Sequence, residues 1–242
     1  MVEFELVLPA YNESKNLKML IERAVGVAQD MKIGSEQFNL VIVQNGSLDD
    51  SEKVLNQLKP SELGPWFRWV TVPKNLGYGY GLAQGLKATT ARFVGWSHAD
   101  MQCDPRNALL AYKKLATSTN TKLFIKGQRT DRNWKDKIVS RIFETIATVV
   151  LGGIFHEVNA QPKVFRRDFL AFLKSPPTTF AFDLYGLYIA KREGYAIEAI
   201  PVSFPARVHG LSNWSAGFFR RYKTILGMIG YMFRLARTEG RL

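Results

Sequence analysis

The sequence predicts an α/β fold, a parallel sheet with helices on both faces, and three observations carry that reading. Short apolar runs alternate with segments of helical spacing through the first half of the chain, in the order βαβαβαβα. Each of the first four apolar runs ends in a turn rich in Asn, Asp, Gly or Gln, and such turns collect at the ligand-binding edge of open sheets. At 242 residues, 46% hydrophobic and 12% aromatic, the chain is long and apolar enough to bury a full core.

Taken in order, residues 4–9 alternate into a buried strand, and residues 14–31 carry Leu17, Leu20, Ile21, Ala24, Val25 and Ala28 at helical spacing. Residues 38–43 form a second apolar strand, followed by a turn and a helix near residues 51–58. A third strand spans residues 66–72 and a glycine-spaced helix residues 80–88. The fourth strand runs up to His98. Asp104 and Pro105 then open a helix as N-cap and first helical residue. Beyond this point the pattern loosens. Residues 123–127 read as a strand, 126–137 as a polar basic loop, and about 134–151 as a helix. Residues 158–165 and 196–204 read as strands flanking a helix near 183–192. No repeat or low-complexity linker divides the chain, so residues 1–213 form one domain and residues 214–242 a basic amphipathic helix.

In that last helix Trp214, Phe218, Tyr222, Ile225, Ile229 and Phe233 lie along one side and Arg220, Arg234, Arg237 and Arg241 along the other. Such a helix reads either as interfacial, on an anionic membrane surface, or as a terminal helix packed on the core. The net charge of +12 calls for an anionic partner: nucleic acid, phosphorylated small molecules or acidic lipid. No recognition helix or RNA-binding motif accompanies the charge, which argues against nucleic acid. The longest apolar run, residues 142–155, is broken by Glu144 and is too short to span a bilayer. No signal peptide is expected ahead of Val2, and the single cysteine, Cys103, suits a reducing compartment. As a lone thiol without a nearby His–Asn arrangement, Cys103 reads as incidental.

The turns themselves are Pro9-Ala10-Tyr11-Asn12-Glu13, then Gln44-Asn45-Gly46-Ser47-Leu48-Asp49-Asp50-Ser51, then Asn75-Leu76-Gly77-Tyr78-Gly79, then His98-Ala99-Asp100-Met101-Gln102. Each alone is a weak signal. Four in register after four successive strands resemble the family 2 glycosyltransferases of GT-A fold, in the branch related to dolichyl-phosphate mannose synthase. The resemblance covers nearly the whole chain and implies a mixed, mainly parallel sheet of the nucleotide-diphospho-sugar transferase type. It implies that Pro9, Tyr11, Glu13, Gln44, Asn45, Asn75, Gly77, His98 and Ala99 line the nucleotide-sugar site. The family's acidic pair in the second turn is replaced by Gln44 and Asn45, so the nucleotide stays open between UDP and GDP. The family's metal turn, Asp-x-Asp-x-Gln, is kept as Asp100 and Gln102, with His98 in place of the first aspartate. That implies a divalent cation, Mn²⁺ or Mg²⁺, with the imidazole tilting the choice toward Mn²⁺.

Later segments bear on the acceptor. Lys126-Gly127-Gln128-Arg129 resembles the family's Gly-Ser-Arg strand end, whose Arg faces phosphate. The run from Arg207 through Gly210, Ser212 and Asn213 resembles its Arg-x-x-Gly-x-Ser-Lys segment, with Asn213 in place of the Lys. Asp183 stands where relatives carry an acidic residue near the sugar. The resemblance implies an inverting transfer of a monosaccharide to a polyprenyl- or dolichyl-type lipid phosphate. Asp100, Arg129, Asp183 and Arg207 are the catalytic candidates, and Arg129, Arg207 and Ser212 the acceptor contacts. Two alternatives stay open: a hydroxyl acceptor, with Asp183 as base, and a degenerate domain that binds without transfer. The expected location is peripheral, on the cytoplasmic face of a membrane, with an oligomer as the competing way to cover the last helix.

Overall fold

A computed structural model describes residues 2–131, 134–205 and 218–242. Seven strands form one sheet: β1 (Phe4–Ala10), β2 (Phe38–Asn45), β3 (Phe67–Val72), β4 (Phe93–Trp96), β5 (Leu123–Arg129), β6 (Lys163–Arg166) and β7 (Ala196–Val202). Their order is β3-β2-β1-β4-β6-β5-β7. All neighbours run parallel except β6, which is antiparallel to both β4 and β5. The helices are α1 (Ser14–Asp30), α2 (Ser51–Leu58), α3 (Tyr78–Lys87), α4 (Pro105–Thr117), α5 (Trp134–Leu151), α6 (Phe182–Arg192) and α7 (Phe218–Glu239). The expected βαβαβαβα order holds through α4.

The chain winds outward from β1 to β2 and β3, then returns to place β4 on the other side of β1. The strand order therefore reverses between β1 and β4, and a crevice opens at their carboxyl ends. The register deepens it. Trp96, the last residue of β4, lies opposite Val7, whereas β1 continues to Ala10. Val7 accepts the last bond, from Ser97 N at 3.1 Å. Successive residues of a strand turn their backbone groups to alternate sides, so Pro9 faces the side where β4 has already ended. Its missing N–H forfeits no ladder bond there.

Two apolar clusters cover the sheet. On one face Leu17, Leu20, Ile21 and Ala24 of α1 and Leu109 and Leu115 of α4 pack on Phe4, Leu6, Leu40 and Ile42. On the other, α3, α5, α6 and α7 meet Val7, Val43, Trp96, Phe124 and Phe165. Asp104 caps α4 as expected, accepting from Arg106 N at 2.8 Å.

Several assignments depart from expectation. Helix α3 begins two residues early, at Tyr78, and β5 runs on to Arg129 because its whole length pairs with β7. The strand expected over residues 158–165 is only Lys163–Arg166, because Pro162 cannot donate to a ladder and the residues before it bond to buried polar groups instead. In α7 the residues that dock on the core are Met228, Met232 and Leu235, all buried, which removes the core-packing alternative for the side singled out in the sequence. Tyr222 and Phe233 of that side are exposed, while Trp214 lies outside the described residues.

Candidate active site

The first two strand-end turns are stitched together by short polar side chains. Asn12 N donates to Ser47 Oγ at 3.0 Å, and Leu48 N donates back to Asn12 Oδ1 at 2.8 Å. Glu13 N reaches Ser51 Oγ at 3.2 Å and Ser14 N reaches Asp49 Oδ2 at 3.0 Å. Burial works against the Asp49 charge, but the bonds from Ser51 and Ser14 prevail and hold its carboxyl below its ordinary value. Gln44 turns its amide oxygen back on Gly46 N at 3.1 Å. Asn45 is buried, its amide donating to Gly77 O at 3.2 Å, while its Oδ1 has no partner.

The third turn closes over this pair. Asn75 Oδ1 accepts from Gly77 N at 2.8 Å, and Gly77 sits at φ +117°, a conformation open to glycine. A Cβ there would also run into the Thr178 carbonyl. The backbone of the third turn is thereby held against the segment before α6.

The fourth turn carries Asp100, which is only 4% exposed. Its Oδ1 accepts from Gln102 N at 3.1 Å, and Met101 between them adopts φ 62°. The Gln102 amide donates to Pro205 O at 3.0 Å, tying the turn to the chain beyond β7. Ala99 is buried, and His98 is half-buried with its ring 5.6 Å from Tyr78, which stacks on Phe180 at 5.0 Å. Burial, reinforced by Asp100, pushes the Cys103 thiol up to about 12, so the cysteine stays protonated and is no nucleophile.

Across β4, β6 and β5 a row of side chains shares one face: Trp96 opposite Lys163, and Lys163 opposite Lys126. Both lysines are buried. Lys163 Nζ donates to Asp183 Oδ1 at 2.6 Å and to Ala160 O at 3.2 Å. The same carboxylate oxygen accepts from Trp96 Nε1 and Gln161 Nε2, each at 2.9 Å. Burial opposes the charge on Asp183, but Lys163 and then His98 outweigh it and hold the carboxyl below its usual range. Lys126 Nζ donates to Gly127 O at 3.0 Å and Glu157 O at 3.3 Å. Burial, and after it the Lys163 charge, bring its pKa down to about 8. Arg129, at the tip of β5, pairs with Glu157 through Nε at 2.6 Å, its side chain 13% exposed.

The strand tips thus gather Pro9, Tyr11, Glu13, Gln44, Asn45, Asn75, Gly77, His98, Ala99, Asp100 and Gln102 on one edge, with Asp183 and Arg129 on the β6 side of it. Arg207 and Ser212 lie outside the described residues. Sequence reasoning missed Gln161, Lys163 and Lys126 as site residues. The available signal was a lysine inside the apolar strand run Pro162-Lys163-Val164-Phe165, since a buried charge requires a partner. Among the described residues no three His, Cys, Asp or Glu side chains converge as a ready metal cage.

Residues 5–173 match the family described as Glycosyl transferase family 2. The dodecaprenyl-phosphate galacturonate synthase of Rhizobium johnstonii is 24% identical over 96% of this chain and 67% of its own length. The polyprenol monophosphomannose synthase of Mycolicibacterium smegmatis is 23% identical over 97% of this chain and 89% of its own. Among solved structures, the glucosyl-3-phosphoglycerate synthase of Mycobacterium tuberculosis, in complex with Mn²⁺, UDP-glucose and phosphoglyceric acid, superposes with a TM-score of 0.70. The two are 18% identical, and the match covers 95% of this chain and 80% of that one. With more than half of its length inside the family match and the strand-end turns gathered on one edge of a mainly parallel sheet, the chain belongs to glycosyl transferase family 2 and is a glycosyltransferase of GT-A fold.

Proposed function

We propose that the protein transfers a monosaccharide, with inversion, from a nucleoside diphosphate sugar to a polyprenyl-type lipid phosphate. The observation that carries the choice of acceptor is the state of Asp183. A hydroxyl acceptor needs a base to take its proton at the transition state. Asp183, the carboxylate expected there, is 2% exposed, takes three donors on Oδ1 and is held below the usual carboxylate range by Lys163. That makes it a weak base and a good strut. A phosphate monoester needs no base, because its second pKa is about 6 and it arrives ionised. The two polyprenyl-phosphate synthases among the relatives support the same acceptor class.

The donor half of the reading rests on the crevice between β1 and β4. Gln44, Asn45 and the Tyr11–Glu13 turn offer hydrogen-bonding groups to a base and ribose. An amide both donates and accepts, so UDP- and GDP-sugars both remain substrates. The residues fit a divalent cation brought in with the diphosphate better than a resident one. Asp100 is a single buried carboxylate, and His98 and Gln102 add one imidazole and one amide. When bound, Mn²⁺ or Mg²⁺ would supply Lewis-acid stabilisation of the leaving diphosphate. Arg129 offers its guanidinium to the acceptor phosphate from the β5 tip, with Arg207 and Ser212 assigned to the same anion by resemblance alone.

In this reading residues 1–213 are the catalytic domain and residues 214–242 hold it peripherally on an anionic membrane, on the cytoplasmic face that a lone unpaired cysteine suits. Among the described residues no helix is long and apolar enough to cross a membrane. The test is a transfer assay with UDP- and GDP-sugars, with and without Mn²⁺, offering a polyprenyl phosphate beside the matching polyprenol. Product on the phosphate alone is expected. Product on the alcohol, abolished by Asp183→Asn, would return Asp183 to the role of base and overturn the acceptor assignment.

A further inference from the structure

Helix α7 lies against the membrane in the reading above, and α5 is its neighbour in the fold. Helices α5 and α7 pack side by side, and both send one face into the same core: Phe143, Ala147 and Leu151 from α5, Met228, Met232 and Leu235 from α7. Their carboxyl ends are tied together, with Leu242 N donating to Leu151 O at 2.7 Å and the Arg241 guanidinium to Val149 O at 2.8 Å. The helices therefore run in the same direction.

A helix with one face in the core ordinarily turns polar residues outward. On α5 the outward stripe is instead Ile138, Ile142 and Val149, exposed to 49%, 57% and 65%. Spacings of four and seven residues place the three on one line along the helix axis. On α7 the corresponding outward residues are Leu226 and Phe233, seven apart and exposed to 50% and 59%. Large side chains left about half or more in water along the outward faces of two packed helices make an apolar strip.

The rim of the strip is cationic. Lys137 and Arg141 on α5, Lys223, Arg234 and Arg237 on α7, and Arg241 beyond it are all exposed. Of the described acidic side chains on these two helices, Glu144 is buried under the backbone N–H of Glu157 and Glu239 is paired with Arg192. An apolar strip edged by lysine and arginine is the chemistry of an anionic lipid surface: the strip enters the acyl boundary and the rim meets the headgroups. A second copy of this chain would bring its own cationic rim against this one.

We infer that the outward side of α5, together with that of α7, forms one two-helix face that docks on anionic lipid. The inference rests on the membrane reading above and adds α5 to it. Helix α5 follows β5, whose tip carries Arg129, so such a face sets the acceptor cation one short connection from the bilayer that would hold a lipid phosphate.

The test is flotation of the full 242-residue chain with vesicles of phosphatidylglycerol and phosphatidylcholine, against vesicles of phosphatidylcholine alone. Ile138→Glu/Ile142→Glu/Val149→Glu changes α5, Leu226→Glu/Phe233→Glu changes α7, and Ile138→Ser/Ile142→Ser is a milder α5 variant. Thermal melting and nucleoside diphosphate binding confirm that each is folded. The expected result is binding that requires the anionic lipid and falls about tenfold or more in either helix's glutamate variant. Wild-type binding by both α5 variants, with loss in the α7 variant, would overturn the role of α5 and leave the α7 reading standing. No binding by the parent chain, or a self-associated parent that the α5 variants dissociate, would overturn the lipid face altogether. Transfer to a detergent-dispersed polyprenyl phosphate, measured on the same proteins, separates either outcome from failure of the proposed reaction.

Discussion

At the edge where β1 and β4 end, the two halves of the sheet handle polar groups in opposite ways. On the side of β3, β2, β1 and β4, the crevice is built from turns whose side chains bond to nearby backbone: Asn12 with Ser47 and Leu48, Asn75 with Gly77, Asp100 with Gln102. On the side of β6, β5 and β7, the polar groups are buried charges that span the sheet, Lys163 and Lys126 on strands and Asp183 on α6. The first arrangement presents preorganised donors and acceptors to a ligand. The second spends its charges on one another. The donor-binding groups therefore belong to the turns, and the buried charges hold the floor beneath them.

The sharpest way to break that contrast is Asp100→Ala. Asp100 Oδ1 accepts from Gln102 N, and losing one such bond costs about 1 kcal/mol of stability. If the proposed reading holds, removing the buried carboxylate of this turn should remove charge stabilisation at the leaving diphosphate, about 4 kcal/mol or a thousandfold in rate. A transfer assay beside a melting curve distinguishes the two. A folded variant with the parent rate would move the donor site away from this turn.

On the other side of the sheet the balance should invert, with stability lost first. Lys163→Met leaves the Asp183 carboxylate buried without its cation, a change that typically costs about 3–5 kcal/mol. Lys163→Met/Asp183→Leu removes both charges and should recover part of that loss. Urea unfolding of the two variants measures the difference. If Lys163→Met unfolds at the parent's urea concentration, the pair is not what secures the floor.

The same contrast explains what could be read ahead of the structure. The four strand-end turns, the Asp104 cap and the order of elements through α4 were legible because local spacing and turn chemistry determine them. The Asp183 network was not, since it joins Trp96, Gln161 and Lys163 across 87, 22 and 20 positions, and only strand pairing brings them together. The same limit applied to α7. Its sequence showed a wide apolar side, but the choice of Met228, Met232 and Leu235 as the docked residues depends on α5, which the helix's own periodicity cannot contain.

The smallest effect, and the one that best sharpens the account of the buried charges, is the pH dependence contributed by Lys126. Its amine is buried, faces Lys163 across the β5–β6 ladder, and titrates at about 8 in the folded protein. An unfolded lysine titrates at about 10.4. Between these two values the unfolded chain holds a proton that the folded chain has released. Stability then rises with pH through that window, and the burden of the buried charge is fully present below it. Lys126→Met has no such proton. The parent's stability relative to the variant should therefore increase by up to roughly 3 kcal/mol on going from about pH 7 to about pH 10.5. Urea unfolding of both proteins across that range, with the difference plotted against pH, isolates Lys126 from the other groups that titrate there. A difference that stays flat would mean that Lys126 keeps an ordinary amine pKa. The row Trp96–Lys163–Lys126 would then be wetter than its burial implies.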